Sequence, residues 1–138
     1  LILLAAVLGS NGLSLANYYT DPYYARADAR TAGQYLTDGR RSRDAILVVG
    51  SIRALTYYSK GELPLERLNA RGITDHALTQ ALQAITGDHD RLWMIEIRPW
   101  EQDPEGKIKA ALDRRYNPIE RKHVPGVDIH LYDLTSSG

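Results

Sequence analysis

The residues of this chain that could do chemistry are few and scattered. Gly50-Ser51 ends the apolar run Ala45–Val49 and opens a helical pattern, the position in a strand–turn–helix unit where backbone N–H groups can cradle a phosphate. Yet "VVGSIRAL" contains a single glycine, without the G-x-G-x-x-G fingerprint or the P-loop lysine, so Gly50 reads as an ordinary strand-end residue. Gly50-Ser51-Ile52 is not the G-x-S-x-G nucleophile elbow either. The histidines, His76, His89, His123 and His130, show neither H-x-x-x-H nor H-E-x-x-H spacing. Asp88-His89-Asp90 could hold a cation, but it precedes a strand, where a turn calls for polar residues anyway. Asp21, Asp28, Asp44 and Asp103 each stand where a cap or loop role suffices, and no pair stands out as a general acid and base. A complete active site is not legible in these residues, and no cofactor or metal is expected in them.

Arg40, Arg41 and Arg43 form the one basic cluster. It reads as a solvated loop before a strand, with contact to anionic lipid headgroups as the alternative. As a positive-inside signal it would argue for a cytoplasmic domain, but it lies past a predicted helix rather than against the apolar segment.

These residues must be positioned by a chain of 138 residues, enough for one domain with a real core. Seventeen basic residues balance 17 acidic ones, which leaves no electrostatic footprint for nucleic acid. The absence of cysteine excludes disulfides, thiolate catalysis and cysteine-ligated zinc. Charge begins only at Asp21, after an apolar opening, "LILLAAVL". Eight helical residues span about 12 Å, against about 30 Å of hydrocarbon, so the run cannot cross a bilayer alone. Because the chain starts at Leu1 rather than Met, missing upstream residues are expected. The run reads foremost as the last turns of a transmembrane helix. A secretory-signal remnant lacking its basic region and an apolar helix packed on the domain's own core remain open. Tyr18, Tyr19, Tyr23 and Tyr24 suit the first reading, because tyrosine collects where an apolar ring and a wet hydroxyl are both accommodated. Packing beneath the domain is their alternative.

Beyond the tyrosines, helix and strand signals alternate. Ala27–Leu36 has Ala29, Ala32, Gly33 and Leu36 at helical spacing, with Gly39 as a stop. Ala45–Val49 predicts a buried parallel strand, and Ser51 a cap for a helix through Tyr58 that Gly61 ends. Pro64–Asn69 is a weak strand. Thr74 caps a helix whose stripe is Ala77, Leu78, Ala81, Leu82 and Ile85. Arg91–Pro99 is the second strong strand. Asp103 as N-cap with Pro104 in the first turn predicts the next helix, with Ile108, Ala111, Leu112 and Tyr116 inward. Ile119–Val124 and Val127–Leu134 form a final strand pair around Pro125-Gly126, the second with Val127, Ile129 and Leu131 on one side and Asp128, His130 and Tyr132 on the other. The expectation is a small α/β, Rossmann-like three-layer domain: a mostly parallel sheet, a C-terminal strand pair, and the end of a transmembrane helix before it. The boundaries are residues 1–18 for the helix end, 19–25 for an interfacial linker and 26–138 for the domain.

The order "NYYTDPYYARADARTAGQYL", "RDAILVVGS", "ALTYYSKG", "RLWMIEIRPWEQDPEGKIKAALDRRY", "PGVDIHLYDL" resembles the extracytoplasmic C-terminal domain of bacterial polytopic glycosyltransferases. These are the GT-C enzymes of glycosyltransferase family 39, the dolichyl-phosphate-mannose–protein mannosyltransferases and aminoarabinose transferases. The likeness covers most of residues 13–134 and lies in the order and spacing of the segments rather than in one motif. Ala29 stands where the family usually has Trp, and Arg43 where Gly precedes the strand Asp, which weakens any role given to that helix and loop. The resemblance implies a multi-pass cell-membrane enzyme that moves a sugar from a polyprenyl-phosphate donor to an acceptor, with this domain on the extracytoplasmic face. Its catalytic acid would lie in an early loop outside these residues, so no catalytic position is carried over and the fragment alone should be inactive. The domain would cap the membrane cavity or help hold the acceptor. Tyr18, Tyr19, Tyr23 and Tyr24 are then the membrane-interface residues, and Arg26 and Arg30 the candidates for contact with acceptor or headgroup. The partners implied are the lipid bilayer and the polyprenyl-phosphate sugar. Two other classes stay open, a membrane-anchored glycan or lipid-headgroup binding module and a small soluble Rossmann-like enzyme. Upstream sequence separates them: many spans with an acidic first loop, a single anchor, or a nearby start Met.

Overall fold

The computed structural model describes residues 28–137. Its elements are α1 (Ala29–Gly39), β1 (Asp44–Gly50), α2 (Arg53–Tyr58), β2 (Leu65–Arg67), α3 (Asp75–Thr86), β3 (Arg91–Ile97), a 3-10 turn (Pro99–Glu101), α4 (Lys107–Arg115), β4 (Tyr116–Val124) and β5 (Val127–Ser137). The expected membrane segment 1–18, the linker 19–25 with Tyr18, Tyr19, Tyr23 and Tyr24, and Arg26 lie outside the described residues. Among the described residues, no helix is long and apolar enough to cross a membrane.

The two strong apolar runs form the middle of the sheet because only strands covered on both faces can be apolar at every position. Ile46 and Val48 of β1 face one layer of helices while Ala45, Leu47 and Val49 face the other. Ala32 and Leu36 of α1 and Leu55 of α2 pack on the first face. Leu78 and Leu82 of α3 and Ile108 and Leu112 of α4 pack on the second. Leu47 and Ile95 are wholly buried, each worth about 1.5–3 kcal/mol of burial.

The strand order is β2-β1-β3-β5-β4. β1 runs parallel to β2 and β3, while β5 runs antiparallel to both β3 and β4. The sheet is therefore mixed, not mostly parallel as expected. The cause is local: Pro125-Gly126 returns the chain in a tight turn, which permits only an antiparallel neighbour, whereas a parallel one needs a long crossover. β5 then inserts beside β3, because Val127, Ile129 and Leu131 complete the apolar face that Trp93, Ile95 and Ile97 begin.

Thr74 accepts from the Ala77 N–H at 3.2 Å, the cap the sequence predicts. Asp28 caps α1 through the Thr31 N–H at 3.1 Å. Two expected starts shift. Ser51 does not cap α2, which begins after Ile52 with no side-chain cap, because the Ser51 backbone is tied to β3. α4 begins at Lys107 rather than beside Asp103: Gly106, with φ +68°, turns the chain into the helix. The Asp103 carboxylate still accepts from the Lys107 and Ile108 N–H groups, each at 2.9 Å.

Candidate functional site

In an open α/β sheet a ligand sits outside the strand ends where the order reverses, here between β1 and β3. That crevice is closed. Gly50 has φ +109°, and a Cβ there would fall 1.8 Å from the Ile97 carbonyl oxygen. The Ser51 N–H, the donor a phosphate would need, already donates to that oxygen at 2.8 Å. Only glycine tolerates both the backbone angle and the approach.

The carboxylates are similarly engaged. Asp44 was expected in a loop or cap role but is the buried first residue of β1, 4% exposed. It accepts from Arg91 Nε at 2.9 Å, Trp93 Nε1 at 2.8 Å and the Arg41 N–H at 2.8 Å. Burial pushes its carboxyl up, but the hydrogen bonds from Arg91, Arg41 and Trp93 outweigh it and hold the group below its ordinary range. Asp90 takes Arg43 Nε at 3.1 Å, and Arg43 Nη2 also donates to the Asp88 carbonyl at 2.9 Å. One member of the arginine cluster thus pins the Asp88-His89-Asp90 turn. Among the described residues, no group of three or more His, Asp and Glu is placed to hold a metal.

On the α3/α4 face, the polar phase of β5 builds a network that sequence reasoning did not assemble. His130 Nε2 lies 2.7 Å from Glu96 Oε1. The Tyr132 ring stacks near His130 with centroids 6.5 Å apart, and the Tyr132 hydroxyl donates to Asp113 Oδ1 at 2.6 Å. Lys109 reaches the other oxygen of Asp113 at 2.6 Å. Burial first, then the bond to Asp113, raises the Tyr132 hydroxyl far above the ordinary tyrosine range. Burial would raise Asp113, but Lys109 and Tyr132 hold it low. The His130 side chain is only 6% exposed, so its pair with Glu96 ties β5 to β3, as Tyr132–Asp113 ties β5 to α4, and neither offers much to a substrate. Its signal was Glu96, the one charge inside "LWMIEI" after the opening Arg91.

An open groove lies on the other face. α1 and α2 border a groove of about 520 Å³ lined by Arg30, Gly33, Gln34 and Thr37 from α1 and by Tyr57, Tyr58 and Lys60. Residues three, four and seven apart share one side of a helix, so α1 presents its four as a single stripe. Gly33 faces α2: a Cβ there would sit in ordinary van der Waals contact, 3.6 Å from Leu55 and 4.0 Å from Tyr58. Tyr57 is 76% exposed, and its ring meets that of Tyr58 edge to face at 5.1 Å. α2 ends as the Gly61 N–H donates to the Thr56 carbonyl at 3.1 Å, which leaves Lys60 in the left-handed region at φ +55°. Gln34 donates to Asp38 at 2.9 Å and the Thr37 hydroxyl to the Gly33 carbonyl at 2.9 Å. Among the described residues, neither Arg30 nor Lys60 has an acidic partner. Two cations, an amide, a hydroxyl and exposed aromatic rings suit a ligand rich in hydroxyl or anionic oxygen, with an apolar face for the rings.

Of the residues the sequence nominated, Arg30 lines this groove and Arg26 lies outside the described residues. Tyr57, Tyr58 and Lys60 were missed. "ALTYYSKG" carried the signal, since adjacent tyrosines on a short helix cannot both face the sheet. Comparison with protein-family models, with curated proteins and with solved structures finds no match for the chain.

Proposed function

We propose that this chain is the C-terminal extracytoplasmic domain of a multi-pass membrane glycosyltransferase that transfers sugar from a polyprenyl-phosphate donor. The domain is itself non-catalytic, and its α1–α2 groove contacts the acceptor. The parallel β2-β1-β3 core with helices on both faces supports a Rossmann-like three-layer description of it. The observation that carries the reading is the groove, where Arg30 and Lys60 flank an exposed tyrosine pair. Aromatic faces and charged donors around an open trough are what a glycan needs for stacking and for its oxygens. A non-catalytic role is supported by the buried carboxylates, Asp44 and Asp103, each held by donors that build the fold. The same groove also favours a second reading, a membrane-anchored glycan or lipid-headgroup binding module without transferase activity.

Transfer kinetics of the full-length protein in its membranes test the first reading. Replacing Arg30 and Lys60 together by alanine is expected to raise the acceptor KM about tenfold, about 1.4 kcal/mol of lost binding. The donor KM and thermal unfolding should stay unchanged. An unaltered acceptor KM contradicts the assignment. Acceptor binding without any transfer by the full-length protein selects the second reading.

A further inference from the structure

We infer that the turn carrying Trp100 is a membrane-contact surface, which seats the indole at the headgroup level of a bilayer with Arg71 and Arg98 against anionic headgroups. The inference rests on the membrane reading above and adds which edge of the domain meets the lipid.

The first observation is where the chain enters the fold. The Asp28 N–H donates to the Pro125 carbonyl at 2.7 Å, which fixes the start of α1 to the turn between β4 and β5. Val127, just past that turn, faces Ile97 in register. Ile97 is followed directly by Arg98 and the turn Pro99–Glu101. The segment preceding residue 28 therefore joins the domain at the edge that bears Trp100. That segment is uncharged through Thr20. From Thr20 to Asp28 an extended chain reaches at most about 28 Å, less than the breadth of a domain this size. A bilayer holding the uncharged run would have this edge as its nearest neighbour.

The second observation is the composition of the edge. The chain has two tryptophans, and they behave oppositely: Trp93 is 2% exposed in the core and Trp100 is 37% exposed. No residue of the Pro99–Glu101 turn is buried, so the indole stands at the domain surface. An indole combines a large apolar area with one N–H donor, which suits the boundary between hydrocarbon and water. Cations accompany it. Arg98 sits over the Trp100 ring at 5.8 Å. Arg71 donates from Nε to the Glu101 carbonyl at 2.7 Å and from Nη2 to the Trp100 carbonyl at 3.1 Å. Both of those partners are neutral, so among the described residues Arg71 shows no acidic partner at the surface. Glu101 offsets Arg98, which it pairs with at 2.7 Å. Exposed arginines beside an interfacial indole favour anionic over neutral lipid.

The third observation is rigidity. The Gln102 carbonyl accepts the Ala70 N–H at 2.8 Å, and the Asp103 N–H donates to the Pro99 carbonyl at 2.8 Å. With the Arg71 clamp, these bonds hold the turn in one shape, so Trp100 is presented rather than free to fold back.

The full 138-residue chain is incorporated into phosphatidylcholine vesicles whose acyl chains carry bromine, with and without phosphatidylglycerol, and tryptophan emission is recorded. Emission from Trp100 is expected to shift to the blue and be quenched, more strongly when phosphatidylglycerol is present. In Trp100→Phe, which leaves the buried Trp93, the quenching should disappear. Circular dichroism checks that both proteins are equally folded. If the chain floats with the vesicles while Trp100 emission is unshifted and unquenched, the inference is overturned and the membrane reading stands. Quenching that persists in Trp100→Phe overturns it as well. Equal quenching in neutral and anionic vesicles overturns the assignment of Arg71 and Arg98 to anionic headgroups. A chain that does not float with any vesicle removes the membrane reading and this inference together.

Discussion

Asp44 is held at the start of β1 by Arg91, by the Trp93 indole and by the Arg41 N–H, and its side chain is 1% exposed. Removing one member of a buried ion pair leaves the other charged and unpaired, at a cost of about 3–5 kcal/mol. Asp44→Asn is therefore expected to lower the stability measured in urea at pH 7 by about 3 kcal/mol. The pH dependence has a definite sign. The folded carboxyl is held below its ordinary range, so folding favours the ionised form. The stability this provides is complete above the unfolded value of about 3.9 and is lost as pH falls through the folded one. The gap between wild type and Asp44→Asn should thus narrow on acidification below about pH 4, and a gap that widens would contradict the assignment. From the sequence Asp44 reads as a cap or loop residue, because nothing local identifies its partner Arg91, 47 positions away. Glu96 and His130 escaped for the same reason, since their pairing depends on β5 lying beside β3. Arg30 was named through the family resemblance, and its place in the first turn of α1 is what brings it to the groove.

At the scale of elements, the uninterrupted apolar runs specified β1 and β3, and the stripe after Thr74 specified α3. What local signals could not show is how ends meet. The start of α4 moved because a left-handed Gly106 lets Asp103 cap from a distance, where proximity alone suggested an N-cap. The bare start of α2 follows from Gly50 pressed against Ile97. That contact yields a paired test. Gly50→Ala should cost on the order of 3–5 kcal/mol, combining left-handed strain with a backbone clash. Gly61→Ala also has positive φ, at +70°, but meets nothing within 4 Å, so it should cost only about 1–2 kcal/mol. Urea midpoints of the two variants measure the difference. Equal losses would mean that the β1–β3 junction is not the constraint described.

For the whole molecule, the β1–β3 crevice is closed, and the sites we propose lie instead at the α1–α2 groove and the Trp100 edge. The α/β class and the order of elements were readable from alternating periodicities. The mixed sheet was not, because the position of β5 depends on which apolar face it completes. Nor was the groove, since it requires α1 and α2 to lie side by side around Gly33. The most direct test of the groove as ligand site is amide chemical-shift mapping. The 138-residue chain, held in lipid nanodiscs, is titrated with a panel of neutral and anionic mono- and disaccharides. Perturbed amides are expected in residues 30–37 and 57–60, with those of Glu96 and His130 unaffected. Shifts centred on Glu96 and His130, or none at Arg30 and Lys60 with any sugar in the panel, would contradict it.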